Sequence, residues 1–382
     1  MKIAIDGSLL HGNFSGVERA ILGLATGLAH VCNDDTVLLY VGRKFQNEQL
    51  PAGRLKLRRA GGAGRSRLRR ILWQQAALPL YLKAERVDVF HGPGYVLPLI
   101  TSVPAVVSIY DIIALTHPHL CTRANVAHYR RVVPRSIRKA RLVIVPTQAV
   151  ARQLAATLAT PAEKIRVVPL GIDPIFKPAP EADRRDIRDV LGLHEKFVLF
   201  VGNLEPKKNL VSLVQAFFAA RMNKDLPHKL VLAGEMGWKS NPLRRIIDEL
   251  DLHEHVVLPG YVPLEHLPAL YSAADMFVFP SLVEGFGIPP LEAMACGTPV
   301  IVSNDPALQE SAGDAAIRAE ATDVAGLRKA IEMLASDEAL RASLIEKGRA
   351  QAAQFTWRKT ALATMAVYRE AAGRTQSSEP HT

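Results

Sequence analysis

The sequence predicts an α/β protein of two doubly wound parallel-sheet domains, and three observations carry that prediction. Short apolar runs rich in β-branched residues alternate with segments of helical period, the pattern of a parallel sheet covered by helices on both faces. The alternation breaks once, in "PLGIDPIFKPAPEA" at 169 to 182, where prolines at 169, 174, 178 and 180 leave no periodicity. It then restarts, and a length of 382 residues suits two domains or one large one.

Taken in order, the strand candidates before the break are "KIAI" (2 to 5), "TVLLYV" (36 to 41), "VDVF" (87 to 90), "AVVSIY" (105 to 110), "LVIV" (142 to 145) and "IRVV" (165 to 168). After it come "FVLFVG" (197 to 202), "KLVLAG" (229 to 234), "VVLPG" (256 to 260), "MFVFP" (276 to 280) and "VIVS" (300 to 303). The expected division is a first domain over 1–172, a second over 173–360, and a closing helix and tail over 361–382 that returns toward the first domain.

Composition narrows the class. With 48% apolar and 22% charged residues the chain has ordinary globular content. Cys32, Cys121 and Cys296 are odd in number and far apart, so they make neither a disulfide framework nor a zinc pattern, which suits a reducing, cytoplasmic home. The N-terminal "MKIAIDGSLLHGNFSG" carries Asp6 inside its only apolar run, too short for a signal sequence. No stretch reaches the roughly 18 apolar residues a membrane span needs, so a soluble or peripheral protein is expected.

Charge is unevenly spread. Residues 43 to 70 hold ten basic side chains and one acid, Glu48, so this window nets +9 of the chain's +10. "RANVAHYRRVVPRSIRKAR" (123 to 141) adds seven basic residues and no acid. Such an asymmetry in the first half reads as a surface for a polyanion, either nucleic acid or an anionic membrane leaflet. Arg58, Arg59, Arg65, Arg67, Arg69 and Arg70, with Trp73 as an apolar edge, are the candidate membrane patch; a solvated helix face beside a flexible "GGAG" loop is the alternative.

Open parallel sheets bind ligands beyond the carboxyl ends of their strands. After the first strand, Gly7, Gly12 and Gly16 precede a helix expected from about Val17, and glycine at a helix mouth lets backbone amides approach an anion. The spacing is not the dinucleotide fingerprint, and no acid stands where a second strand would need it. In "FVLFVGNLEPKKNLVSLVQAF" a strand ends at Gly202, a loop carries Glu205, Lys207 and Lys208, and a helix is expected near Asn209, a candidate cap. Two lysines there form a phosphate clamp or merely decorate a surface turn.

In "PSLVEGFGIPPLEAMACGTPV" (280 to 300), Glu284 and Glu292 flank a turn of Gly285, Phe286, Gly287 and Ile288. Pro289 and Pro290 are tolerated only before or within a first helical turn, so the turn hands over to a helix that Gly297 stops. Backbone amides at that helix start suit a phosphate, and carboxylates on either side suit hydroxyls, which together are the demands of a nucleotide sugar. Capping from Ser281 to Glu284, with Glu292 complementing the dipole, is the plainer use of the same residues.

These residues carry a resemblance. "EGFGIPPLEAMACGTPV" resembles the signature of the family 4 (group 1) retaining glycosyltransferases, and so do "GNLEPKKNL", "PGYVPLEHLPALYSAADMFVFPS", "DVFHGPGYVLPL", "VPLGID" and "FTWRKTA". The resemblance implies a GT-B fold, two Rossmann-like domains facing across a cleft. It also implies that Glu292 bonds ribose hydroxyls, that Glu284 bonds the donor sugar with help from the amides of Gly285, Phe286 and Gly287, and that Lys208 contacts the diphosphate. Lys207 stands where relatives often carry arginine, Asn203 where some are basic, and Gly16 would let a first-domain loop approach the donor phosphates. In "SIYDIIALTHP", Tyr110 replaces the histidine that precedes the aspartate, here Asp111, on the acceptor side.

Breaking a glycosyl phosphate ester builds negative charge on the departing diphosphate, so stabilising that group is the main lever. No Asp-x-Asp pair stands at a strand end, so lysines and helix dipoles are expected to do this without a metal, and no cofactor is expected. The wording of the motifs resembles mannosyltransferases and related deoxyhexose transferases that use GDP-linked sugars and polyprenyl-linked glycans in bacterial surface polysaccharide synthesis. That implies a peripheral enzyme at the inner membrane. A soluble transferase making a small glycoside is the near alternative. A nucleic-acid-binding protein would want more aromatics among the basic residues than Trp73 and Tyr129, and a nicotinamide oxidoreductase lacks its fingerprint.

Overall fold

The computed structural model describes residues 1–10, 16–32, 34–43, 45, 50, 55–60, 67–224, 226–238 and 240–374, without the side chains of Arg67 and Leu68. The chain forms two compact units, Met1–Gly171 with Phe355–Thr382, and Ile172–Gln354.

The first unit is a seven-stranded parallel sheet of β1 (Lys2–Gly7), β2 (Thr36–Gly42), β3 (Leu55–Ala60), β4 (Val89–Gly92), β5 (Ala105–Ser108), β6 (Leu142–Val145) and β7 (Ile165–Val167). Their order is β3-β2-β1-β4-β5-β6-β7. The winding reverses between β1 and β4, and the crevice at such a point lies beyond the strands' carboxyl ends. The second unit holds β8 (Phe197–Val201), β9 (Lys229–Ala233), β10 (Val256–Gly260), β11 (Met276–Phe279), β12 (Val300–Ser303) and β13 (Ala316–Ala319), in the order β10-β9-β8-β11-β12-β13. Its reversal lies between β8 and β11.

Every expected apolar run is a strand, because central parallel strands are covered on both faces and read as continuous apolar segments. β8, β11 and β12 are buried throughout. Two strands were not expected, β3 ("LKLRRA") and β13 ("AIRA"), and both are edges of their sheets. An edge strand needs little apolar sequence because one side faces solvent, and charged residues there also discourage pairing with other chains. The basic window at 43 to 70 therefore contains a strand.

Helices cover both faces of the first sheet. On one face Ile21, Leu24 and Leu28 of the helix Gly16–Val31 meet Ala361, Met365 and Tyr368 of the helix Trp357–Ala371 over β1, β2 and β4. Each large side chain so enclosed stabilises the unit by about 1.5–3 kcal/mol. Gly23 and Gly27 allow the close approach, since a Cβ at either would strike Trp357. The terminal helix starts at Trp357 rather than 361, because Thr356 caps it by accepting from the amide of Lys359. On the other face lie Trp73, Leu78 and Leu82, together with Val133 and Ile137 of the helix Arg123–Lys139.

Candidate functional site

In the second unit the two sequence motifs meet at the carboxyl ends of β8 and β11. The chain leaves β8 through Gly202, makes a 3₁₀ turn at Pro206–Lys208, and enters the helix Leu210–Lys224 from Asn209. Asn209 is left-handed (φ 56°); its Nδ2 donates to the carbonyl of Ala321 (2.5 Å) and its Oδ1 accepts from the Ser212 hydroxyl (2.8 Å). It is thus a turn residue that ties the loop to the 321 segment, a role the sequence reading did not assign to it. Asn203 is exposed at the start of this loop.

The turn aims Lys208 inward. Its Nζ lies 2.5 Å from Glu284 Oε1 and 4.4 Å from the centre of the Phe279 ring. An ammonium over an aromatic face gains further attraction when desolvated. Lys207 Nζ stands 3.8 Å from Glu284 Oε2 and 3.6 Å from Glu205 Oε1. The carboxylate of Glu284 is therefore held between two ammonium groups, and the amide of Leu282 donating to the carbonyl of Lys207 (2.8 Å) locks one loop to the other.

Burial alone would raise the Glu284 carboxyl, but the charges of Lys207 and Lys208 and the hydrogen bond from Lys208 outweigh it and hold its pKa at about 2. Glu284 is accordingly ionised at neutral pH. Burial pulls the Lys208 ammonium below the ordinary lysine range, and the Glu284 carboxylate opposes that pull.

After Glu284, residues 285–287 are buried and Gly287 takes φ 90° as the residue before the helix Ile288–Ala295. A Cβ at Gly287 would strike Leu308, so both conformation and space demand glycine. Pro289 and Pro290 fall in the first helical turn. Glu292 is fully enclosed, and its Oε2 accepts from the Tyr271 hydroxyl at 3.0 Å.

Two positions that shape the candidate site were missed by sequence reasoning. Ser303 at the end of β12 donates to the carbonyl of Ser281 (2.6 Å). Asp305 accepts from the amides of Ala307 (3.0 Å) and Leu308 (3.1 Å), capping the helix Pro306–Ala312, and also from the amide of Glu284. Burial raises the Asp305 carboxyl to about 6, with the Glu284 charge adding to the rise and the backbone amides opposing it. "NDPAL" carried the signal, since an acid followed by proline marks an N-cap and first helical residue.

In the first unit, Gly16 opens its helix with nothing near the position of a Cβ; Gly12 lies outside the described residues. Tyr110 follows β5 and stands edge-on to Tyr95, ring centres 5.7 Å apart, while Asp111 accepts from the amide of Ile113 (3.2 Å). Close by, His91 of β4 shares hydrogen bonds with the Tyr368 hydroxyl (2.7 Å) and Ser108 Oγ (2.8 Å). Burial pushes its pKa down to about 3, so the imidazole is neutral. A cavity of about 20 Å³, room for one water, is lined there by His91, Ser108, Tyr110 and Trp357.

The expected basic patch is dispersed. Trp73 is only 6% exposed and packs on Tyr40 with ring centres 6.1 Å apart, so it belongs to the core and not to an interfacial edge. Arg58 pairs with Glu85 (2.6 Å), Arg59 donates to the carbonyls of Arg43 and Phe45, and Arg70 faces Asp6, whose carboxyl is raised by burial, a rise that the Arg70 charge partly opposes. Arg65 and the side chain of Arg67 lie outside the described residues, and Arg69 is exposed. Among the described residues no group of three or more His, Cys, Asp or Glu could hold a metal, and no helix is long and apolar enough to cross a membrane.

Comparison with known proteins places this geometry. The family model "Glycosyltransferase Family 4" matches residues 14–176, and "Glycosyl transferases group 1" matches 183–351. The chain is 29% identical to O-antigen chain mannosyltransferase B of Escherichia coli, over 97% of this chain and 100% of that one. It is 33% identical to the serotype-specific mannosyltransferase WbdA of Escherichia coli over 46% of this chain, spanning 22% of that protein. Sucrose-phosphate synthase from Thermosynechococcus elongatus superposes with a TM-score of 0.78 at 23% identity, covering 97% of this chain and 98% of that one. Anabaena HepE in complex with UDP and glucose superposes at 0.74 with 20% identity, covering 97% and 100%. Those structural likenesses establish the GT-B fold.

Proposed function

The chain belongs to the family 4, group 1 glycosyltransferases, and from that premise we propose that it moves mannose, or a related deoxyhexose such as rhamnose, from a GDP-linked donor to a polyprenyl-linked glycan in O-antigen synthesis. The full-length likeness to an O-antigen chain mannosyltransferase supports the sugar and the pathway class. The contact between Lys208 and Glu284 supports the chemistry and is the observation on which the site assignment stands.

In this reading Lys208 and Lys207 meet the diphosphate as the bond between the sugar's anomeric carbon and phosphate oxygen breaks. Point charges fixed in advance stabilise developing negative charge without reorganisation. Glu284, ionised and held between them, accepts from donor-sugar hydroxyls, and the amides of Gly285, Phe286 and Gly287 complete the cradle with Ile288 at the helix start. The acceptor oxygen bonds to the anomeric carbon on the face the nucleotide leaves, and its proton passes to the departing diphosphate, which retains configuration. Asn203 borders the donor in the second unit, and Tyr110 and Asp111 are the acceptor-side residues of the first. Glu292, assigned to the ribose, is enclosed with Oε2 accepting from Tyr271, and its carboxylate keeps further acceptor capacity for ribose hydroxyls. The chemistry needs no metal and the enzyme works peripherally at the cytoplasmic face of the inner membrane.

The test is transfer measured with GDP-mannose, GDP-rhamnose and UDP-glucose, with and without EDTA, and the product's anomeric configuration read by NMR. Transfer of mannose or rhamnose from the GDP donor, unaffected by EDTA and with retention, is the expected result. Selective use of UDP-glucose, loss of activity in EDTA, or an inverted product would each reject the corresponding part.

A further inference from the structure

A helical stretch of the first unit presents its apolar side chains to solvent, and the reason lies in what fixes its rotation. Arg67–Leu72, a π turn at Trp73–Ala77, and Leu78–Ala84 follow one another without a break. On the inner side Gln74 is buried and its Nε2 donates to Asp6 Oδ2 (2.6 Å), Trp73 sits against Tyr40, and Leu78 and Leu82 are fully enclosed. The extra residue of the π turn, marked by the amide of Leu78 donating to the carbonyl of Trp73, keeps both halves facing the core.

With the inner face so fixed, Arg69, Leu72, Ala76, Leu80 and Lys83 lie three and four apart down the outer face, all exposed. Leu72 is 59% exposed and Leu80 69%. Gln75 bonds the carbonyl of Leu97 (3.1 Å) and the amide of Leu99 (3.0 Å), which holds the neighbouring segment beside the helix, where Leu99 is 43% and Ile100 82% exposed. Of the six large apolar side chains exposed among the described residues of this unit, all but Leu362 belong to this stretch and its neighbour.

The charge along this apolar strip is mostly basic, and the acid that ends the helix, Glu85, is paired with Arg58. Residues 67 to 84 contain no acid, and neither does the helix Arg123–Lys139, whose Lys139 Nζ donates to the carbonyl of Thr101 (2.6 Å) next to Ile100. Aliphatic side chains flanked by basic ones match the boundary between headgroups and acyl chains of an anionic leaflet, where leucines enter and Arg and Lys reach back to the phosphates. Two copies of the face would set like charge against like.

We propose that this face, centred on Leu72, Ala76 and Leu80 with Ile100 alongside, docks the chain on an anionic lipid bilayer. The proposal deepens the lipid-linked acceptor reading and rests on it for its purpose, since a docked enzyme meets a lipid-borne glycan in the plane of the membrane. It replaces the Trp73-edged patch with surface residues.

The full chain is sedimented with vesicles of phosphatidylcholine alone or mixed with phosphatidylglycerol. Binding to the mixed vesicles that weakens with salt is expected. Leu72→Ser combined with Leu80→Ser should weaken it about tenfold, with an unchanged melting temperature, while Leu362→Ser, on another helix, leaves it intact. Equal vesicle binding by the double variant would overturn the proposal, as would no binding by the wild type. So would a dimer in sedimentation velocity that the double variant abolishes while vesicles bind neither protein. Transfer from a GDP-linked donor to a water-soluble glycan separates the two readings: the double variant should retain it, whereas vesicle binding by a chain that transfers from no GDP-linked donor would reject the functional reading and leave the docking face standing.

Discussion

Both units enclose polar groups at their central strands, the second unit beyond the ends of β8 and β11 and the first unit on β4 and at the end of β5, yet they fill those places differently. In the second unit the place holds charge: Lys208 and Lys207 around an ionised Glu284. In the first it holds neutral groups, His91 bonded to Tyr368 and Ser108 and closed over by the chain's terminal helix. A doubly wound sheet supplies the location, and the charge state of the side chains decides what the location can do. An enclosed ion pair is costly to desolvate and adds little net stability, so its presence at the strand ends of the second unit points to chemistry. A satisfied neutral network rigidifies a core.

The sharpest way to break this contrast is Glu284→Gln. Removing one fixed electrostatic partner is expected to lower kcat by about 10²–10³-fold. Leaving Lys208 enclosed without its counter-charge should also cost about 3–5 kcal/mol of stability, read from denaturant unfolding. The double variant Lys208→Met with Glu284→Leu then sharpens it: stability should return most of the way while transfer does not recover. If stability and transfer recover together, the pair is structural and the functional assignment fails.

His91→Phe is the matched experiment on the first unit. It leaves the Tyr368 and Ser108 hydroxyls without a partner and should cost about 1–3 kcal/mol in unfolding free energy, with kcat changed far less than by Glu284→Gln. The same group predicts a pH dependence. Its folded pKa of about 3 lies below the ordinary 6.5, so the unfolded chain binds the proton first, and stability should fall as pH drops from about 6.5 toward 3. Glu284, held at about 2 against an ordinary 4.5, adds a loss in the same direction between about 4.5 and 2. Unfolding titrations of wild type and His91→Phe separate the two windows.

The smallest effect belongs to Asp305. Its carboxyl is raised to about 6, so ionisation costs folding free energy as pH rises from about 4 to 6, opposite in sign to the other two. Protonation below 6 weakens its acceptance from the Glu284 amide, and KM for the donor should rise a few-fold there while Glu284 itself remains ionised. Asp305→Asn should remove that inflection. An unchanged profile would show that the Glu284 loop does not depend on this cap.

Much of this was legible before any coordinates. The buried parallel strands declare themselves because both faces are covered and no polar alternation interrupts them. Pro289 and Pro290 mark a helix start because proline fits only there. The edges β3 and β13 were not legible, since "LKLRRA" is half basic and "AIRA" is only four residues long, so neither shows a continuous apolar run. Trp73 was misread because its neighbours in sequence, Arg69 and Leu72, face outward, and only the rotation fixed by Gln74 and Asp6 sends the indole inward.

By itself the sequence determined the two-domain α/β architecture, the turn-to-helix form of the Glu284 segment and the family, because these follow from local conformational limits and the period of apolar residues. Tertiary structure alone decided that Lys208 and Glu284 touch, that Asp305 holds the loop between them, and that a leucine face meets solvent. Such contacts join residues far apart in the chain, where neither spacing nor propensity carries information about distance.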